Sequence, residues 1–429
     1  MRSSLSLRAD RAARRVCYRR PVNAEAESAP KLDAPLPAAE RIAALDVLRG
    51  VALFGIFIMN MPGFSHSPFT PPPPDLGPLD AWVTWLRELL FAGKFNLMFG
   101  LLFGIGFHLQ LGRLEAARPG GGATLVYARR LAVLLAIGLV HAVLLWSGDV
   151  LVVYVVLGFG LLAIRRWPDS AVTALICLCL VFPAAADALR PMLLSFTTET
   201  VAAFEYEDFE VSNAAAFGHG SFFDAMRETA RVFAWGYTSP LGLFSYAVFY
   251  VQMATGILLG FLVGRRHWVE RLPALREPIR RAQLAAFGLA LVAGALALAF
   301  AFVGAEPDGA GFFVSLARTV GRAALMAFYA LTLLRLLERP TAARWLRPFA
   351  LAGRMPLSNY LLQTLLGSFV FYGWGLGLWG RASPWVEVVL AVGLFFAVQL
   401  PLSAWWLVRF RYGPVEYVWR RLTYGRLAG

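Results

Sequence analysis

The sequence predicts an all-α polytopic membrane protein of about ten transmembrane helices, with both ends in the cytosol. Three observations predict it. Of the 429 residues, 58% are hydrophobic and only 16% are charged, where a soluble chain carries roughly 25% charge; mean hydropathy is +0.60. The apolar residues fall in continuous blocks of about 16–25, the length that crosses ~30 Å of hydrocarbon as a helix, without the alternation of a barrel strand. Between the blocks, arginine-rich segments alternate with arginine-poor ones.

Residues 1–40 hold Arg, Ala, Ser and Pro with no apolar signal region, so a disordered cytosolic tail is expected. Spans are expected at 45–61, 86–112, 129–146, 150–164, 171–189, 241–264, 284–304, 313–337, 357–379 and 385–408. The segments before the first span and at 113–130, 165–169, 265–283, 335–356 and 409–429 are Arg-rich; 265–283 alone has six arginines. The alternate segments 62–85, 147–149, 190–240, 305–312 and 380–384 are poor in Arg or acidic. The Arg-rich side is the cytosolic one by the positive-inside rule. The chain thus divides into the tail 1–40, membrane helices over 41–264 with extracytoplasmic segments 62–85 and 190–240, and a C-terminal membrane region 265–429. Pro71 to Pro74 stiffen the first outer segment. The second carries Glu205, Glu207, Asp208 and Glu210, then a surface helix near SFFDAMRETARVFAWGY. Gly100 and Gly104 make a GxxxG pair that favours close helix packing.

The formal charge of +13 comes almost wholly from arginine. Its position between membrane blocks assigns it to topology and to anionic lipid, so membrane lipids are expected partners and nucleic acid is not. A homo-oligomer is left open. Cys17, Cys177 and Cys179 make no disulfide framework. No His, Cys or Asp cluster has ligand spacing, so no metal is expected.

Ionisable groups at membrane depth cost roughly 2.5–3.5 kcal/mol each on insertion scales. Lys94 sits just inside the second span, where it either snorkels to the outer interface or supplies a compact charge at depth. His141 precedes a tight SGD turn ending in Asp149. Folding that hairpin about Gly148 brings Tyr154 or Val155 opposite His141. Asp149 then either orients the imidazole for proton chemistry or caps the next span. His66, six residues after Asn60, reads as a solvated loop residue. Arg318 and Arg322, one turn apart, either clamp an anionic substrate group or pair with Glu306 and Asp308. His108 and Gln110 read as interfacial. Asp46 and Arg49 share one helix face at the cytosolic end of the first span, with Gly50 beside them to admit another backbone. Anchor and binding site both stay open for that pair.

Five stretches in order resemble the YeiB family (domain of unknown function 418): LDVLRGVALFGIFIMN, GKFNLMFGLLFGIGFHLQ, LGLVHAVLLWSGDVLVVYVVLGFGLL, AGRMPLSNYLLQTLLGSFVFYGWGLGLWG and RFRYGPVEYVWRRLTYG. Pro356 stands where that family usually has Ala, a change a helix start tolerates. The first stretch is also similar to the opening span of the integral-membrane acyltransferase superfamily, which includes the acyltransferase-3 and heparan glucosaminide N-acetyltransferase families. That resemblance implies transfer of an acyl group, often from cytosolic acetyl-CoA, to a sugar, lipid or small-molecule acceptor of the envelope, with an essential His, in a bacterial inner membrane. By position in the glucosaminide enzymes the His would be His66; by the YeiB-like H…GD hairpin it is His141 with Asp149, and the second is preferred. Arg49 with Asp46, Arg354, Asn359 and Gln363, helped by Arg265 and Arg266, would hold the acyl-CoA donor. Asn60 or Lys94 would stabilise the oxyanion, with Tyr154, Arg318 and Arg322 near the acceptor. The alternative is a multi-pass transporter or lipid flippase, and a third reading is a binding scaffold. The enzyme reading requires Arg49, Lys94 and His141 to face one continuous channel.

Overall fold

The computed structural model describes residues 38–67, 69, 76–118, 120–195, 208–302 and 310–425. The tail 1–37, Pro71 to Pro74, Glu205 and Glu207 lie outside the described residues. Every described element is helical, and the protein is an all-α, multi-pass membrane protein. Eight described helices are long and apolar enough to cross a bilayer, and each of the ten expected spans overlaps a helix. The two shorter ones are Leu151–Ile164, of 14 residues, and Pro356–Phe371, of 16.

In chain order the helices are α1 (Ala38–Ser65), α2 (Pro78–Leu90), α3 (Lys94–Ala117), α4 (Ala123–Leu144), α5 (Leu151–Ile164), α6 (Asp169–Ser195), α7 (Phe222–Thr238), α8 (Pro240–Arg265), α9 (Arg276–Phe302), α10 (Ala310–Leu337), α11 (Pro340–Arg354), α12 (Pro356–Phe371), α13 (Pro384–Arg409) and α14 (Pro414–Tyr424). α7 is the expected surface helix. Ser221 caps it, in a reciprocal pair with Asp224.

Three boundaries differ from the sequence reading. The expected span 86–112 is broken at Phe91–Gly93, where Gly93 takes φ 75°. This leaves α2 as a separate amphipathic helix with Trp82, Trp85 and Leu89 exposed, as an interfacial helix presents them. The expected span 357–379 stops at Phe371. The chain then folds back, Trp379 N–H donating to Phe371 O at 2.7 Å, through Gly377 and Gly380 at positive φ. Within α13, residues Leu394–Gln399 widen to a π-turn just before Pro401, which has no N–H to continue the ladder.

Small residues set the helix contacts. Gly104 lies against the backbone of α8 at Ile257, and Gly256 and Gly260 of α8 lie against the carbonyls of Leu97 and Leu101 in α3. The GxxxG pair of α3 therefore meets a second small-residue stripe. Gly50 of α1 lies on the Phe349 carbonyl of α11, and Gly353 of α11 on the Asp46 carbonyl of α1. At the Arg-rich face α14 ties to the start of α12 and to Arg130 of α4. At the opposite face Ser65, Arg87 and Glu387 join α1, α2 and α13.

Candidate functional site

A cavity of about 330 Å³ runs inward from the Arg-rich face between α1, α3, α4, α5, α12 and α14. Arg49, Arg130, Arg354 and Arg420 border it together with Tyr412 and Glu416; its deeper wall is apolar and aromatic, with Tyr154, Val150 and Tyr360. Arg130 is buried inside α4, stacked 3.7 Å over Trp419 and donating to Tyr424 at 3.3 Å. Stacking on aromatic faces holds a guanidinium in place without neutralising it. Arg420 stacks on Tyr412 at 4.5 Å. Among the described residues, its Nε and the Oε1 of Gln110, both bordering the cavity, are buried without a hydrogen-bond partner. Buried polar atoms are nearly always paired, so this donor and acceptor stand out on the cavity border.

Close to the inner end of this cavity, α4, the 145–150 turn and α12 build a fully buried relay. His141 Nδ1 is 2.7 Å from Asp149 Oδ1, and His141 Nε2 is 2.8 Å from Thr364 Oγ1. Asp149 Oδ2 accepts the N–H of Val152 at 2.8 Å. The two sequence readings of Asp149 thus coexist: one oxygen orients the imidazole, the other holds the first turn of α5. The tautomer with its proton on Nδ1 would donate to Asp149 and leave Nε2 to accept from the Thr364 hydroxyl. Tyr360 stands between relay and cavity. Its ring is 5.1 Å from that of His141, and its hydroxyl accepts the N–H of Val150 at 3.2 Å while keeping its own proton to donate.

His141, though its side chain is buried, borders a different void, a shallow apolar groove of about 630 Å³ that opens sideways between α4, α12 and α14. Lys94 faces neither. Its ammonium donates to the carbonyl of Glu88 at 2.6 Å, across the break between α2 and α3. Arg49, Lys94 and His141 therefore do not share one channel; Arg49 borders the cavity, His141 the groove and Lys94 neither.

The remaining sequence-selected residues are placed as follows. Arg49 borders the cavity while pairing with Asp46 at 2.7 Å. Arg354 borders it too. Arg265 and Arg266 are bound by Asp169, at 2.7 and 2.9 Å. Asn359 and Gln363 face away from the cavity into a buried network with Ser403 and Gln399, which ties α12 to the π-turn of α13. Tyr154 borders the cavity, but its hydroxyl donates to Asn96 O at 2.9 Å, away from His141. Asn60 is not among the cavity-bordering residues. Arg322 packs on Gly93, and neither it nor Arg318 borders the cavity; Glu306 and Asp308 lie outside the described residues. His108 stands 5.6 Å from the ring of His267. His66 is not simply solvated: Nδ1 contacts Ser65 Oγ at 2.7 Å and lies 3.3 Å from Glu387, a buried carboxylate that also holds Arg87 at 2.6 Å. Its side chain is 36% exposed, against 1% for His141.

Sequence reasoning missed Thr364, Tyr360, Arg130 and Arg420, and read Gln110 only as interfacial. A signal existed for Arg130, which falls where the Arg-rich segment 113–130 overlaps the expected span 129–146. None marked Thr364, because a lone helical Thr reads as packing.

A family model described as "Protein of unknown function (DUF418)" matches residues 263–426, which include Arg354, Tyr360, Thr364, Glu416 and Arg420. The chain is 30% identical over 410 residues to the uncharacterized protein YxaH of Bacillus subtilis (strain 168), covering 90% of this chain and 94% of that protein. It is 28% identical over 392 residues to an uncharacterized 39.9 kDa protein of Bacillus acidopullulyticus, covering 91% and 96%. It is 27% identical over 403 residues to the uncharacterized protein YeiB of Escherichia coli (strain K12), covering 90% and 96%.

Proposed function

The chain belongs to the DUF418 family together with YxaH and YeiB, and from that premise we propose that it is an integral-membrane acyltransferase of the bacterial inner membrane. It takes an acyl-CoA, in the simplest case acetyl-CoA, from the cytosolic face and passes the acyl group to a sugar, lipid or small-molecule acceptor of the envelope. Arg49, Lys94 and His141 do not share the one channel that the enzyme reading first required, so the reading rests on a narrower observation: an arginine-rimmed cavity bordered at its inner end by Tyr360, in ring contact with a buried histidine paired with a carboxylate. Arg49, Arg130, Arg354 and Arg420 suit phosphate groups, since guanidinium forks match phosphate oxygens. The apolar interior suits a pantetheine arm and a short acyl chain. His141 takes the proton of the attacking hydroxyl, held in the right tautomer by Asp149. Tyr360 replaces Lys94 and Asn60 as the donor to the developing oxyanion, a contact worth roughly 2.7–4 kcal/mol to such reactions.

A second assignment of the base has its own support. His66 has a buried carboxylate partner in Glu387 and is partly exposed on the opposite face, where an envelope acceptor arrives. The test is label transfer from radioactive acetyl-CoA to envelope material in inverted vesicles carrying wild type, His141→Ala or His66→Ala. Transfer lost only in His141→Ala supports the relay; transfer lost only in His66→Ala moves the base to the outer pair. Absence of transfer and of acetyl-CoA binding in wild type returns the protein to the transporter or flippase reading.

A further inference from the structure

We propose that Thr364 carries the acyl group in transit, as an ester on its Oγ1, so that the reaction runs as a double displacement. This rests on the acyl-transfer reading above and goes beyond it by naming the nucleophile.

The first argument is the direction of the hydroxyl. Several helical threonines of this chain turn back on their own helix: Thr173, Thr238, Thr332 and Thr423 donate to the carbonyl four residues earlier at 2.6–2.8 Å. Such back-bonding is the ordinary resting place of a Thr hydroxyl in an apolar helix. Thr364 instead has its Oγ1 2.8 Å from His141 Nε2, whose Nδ1 is 2.7 Å from Asp149 Oδ1. Hydroxyl, imidazole and carboxylate in that order, at hydrogen-bond distances, form an activated nucleophile with its base and orienting acid. The arrangement is recognised by geometry, and it assembles from three separate segments of the chain.

The second argument is the separation of the voids. The arginine-rimmed cavity and the sideways groove hold different walls, and His141 borders only the groove. A single displacement needs donor and acceptor together in one space. A group handed over on a side chain between two spaces does not. Thr364 is buried and borders neither void itself; it lies one turn beyond Tyr360, which borders the cavity, and three residues beyond Leu361, which borders the groove.

The steps balance without an oxidant or metal. Thr364 Oγ1 attacks the thioester carbonyl carbon as its proton passes to His141 Nε2. The C–S bond breaks, and the departing thiolate takes that proton to leave as a thiol. An acceptor hydroxyl or amine then gives its proton to Nε2 and attacks the ester carbonyl. The C–Oγ1 bond breaks and the proton returns to Thr364.

The experiment uses the full-length protein purified in nanodiscs with radiolabelled acetyl-CoA. Acid-quenched samples are digested and the Thr364 peptide is read by mass spectrometry, while inverted vesicles report transfer to envelope material. The expected result is an acetyl adduct on Thr364 in wild type and Thr364→Ser, with adduct and transfer both lost in Thr364→Val that still elutes as folded protein on size exclusion. Transfer at the wild-type rate in Thr364→Val, or label reaching the envelope from wild type and Thr364→Ser with no adduct on either, overturns the covalent step and leaves the acyl-transfer reading standing. Wild type that neither binds nor consumes acetyl-CoA removes that reading and this one together.

Discussion

Glu416 Oε1 accepts the N–H of Leu357 at 2.7 Å and that of Ser358 at 3.1 Å. Its other oxygen binds the Ser358 hydroxyl. The first N–H groups of a helix have no partner within it, and a carboxylate there also meets the positive end of the helix dipole. A residue of α14 thus latches the helix that carries Tyr360 and Thr364. Removing it leaves buried donors unmet, which costs about 1–3 kcal/mol. Glu416→Ala is expected to lower the melting temperature in detergent and to weaken ligand binding in the cavity; an unchanged melt contradicts the latch.

The same residue sets a pH dependence. Burial raises the Glu416 carboxyl above the ordinary value of 4.5, against the Ser358 and Leu357 donors that lower it. A carboxyl raised on folding binds its proton more tightly in the native state. Its contribution is therefore full in acid and is lost as pH rises through the raised value. Glu416→Gln keeps an acceptor oxygen and removes the titration. The melting temperature of wild type relative to Glu416→Gln is expected to fall as pH rises above 4.5; a constant difference across that range contradicts it.

Helix contacts at glycine should fail where a side chain has no room. A Cβ at Gly50 or Gly104 would meet a backbone carbonyl, whereas Gly294 has nothing within 4 Å. Gly50→Leu and Gly104→Leu are expected to cost at least the ~1–3 kcal/mol of an overpacked core, read as lost folded yield on size exclusion. Gly294→Leu, facing lipid, should express as wild type. Equal yields from all three would mean that α1, α3, α8 and α11 do not pack as described.

Orientation follows from the arginine alternation. A reporter that fluoresces only in the cytosol should be bright when fused at either end. A phosphatase active only outside the membrane should work when inserted at Gly220, before α7. A dark C-terminal fusion would mean an odd number of spans.

The spans were legible because burial in lipid leaves a continuous apolar signature, and the His141–Asp149 pair was legible because both sit on one hairpin with a short turn. Thr364 was not, since its partner lies 223 positions away and only packing of α12 on α4 joins them. Asn359 and Gln363 misled the reading: a polar residue in a membrane helix looks like a pathway whether it lines one or, as here, ties α12 to a π-turn. The breaks at Gly93 and Gly377 were likewise hidden, because glycine is common inside membrane helices and its left-handed use depends on tertiary contacts.

The account turns on the arginine-rimmed cavity as the seat of the acyl donor. The most direct measurement is calorimetric binding of acetyl-CoA to wild type, Arg420→Ala, Leu134→Trp and Ala136→Trp in nanodiscs. Leu134 borders the cavity and Ala136 the sideways groove. Loss of one charge-assisted contact of about 1.5–3 kcal/mol weakens binding roughly tenfold or more. The account predicts that loss in Arg420→Ala, no binding to Leu134→Trp, and wild-type affinity in Ala136→Trp. Affinity unchanged in Leu134→Trp would contradict it.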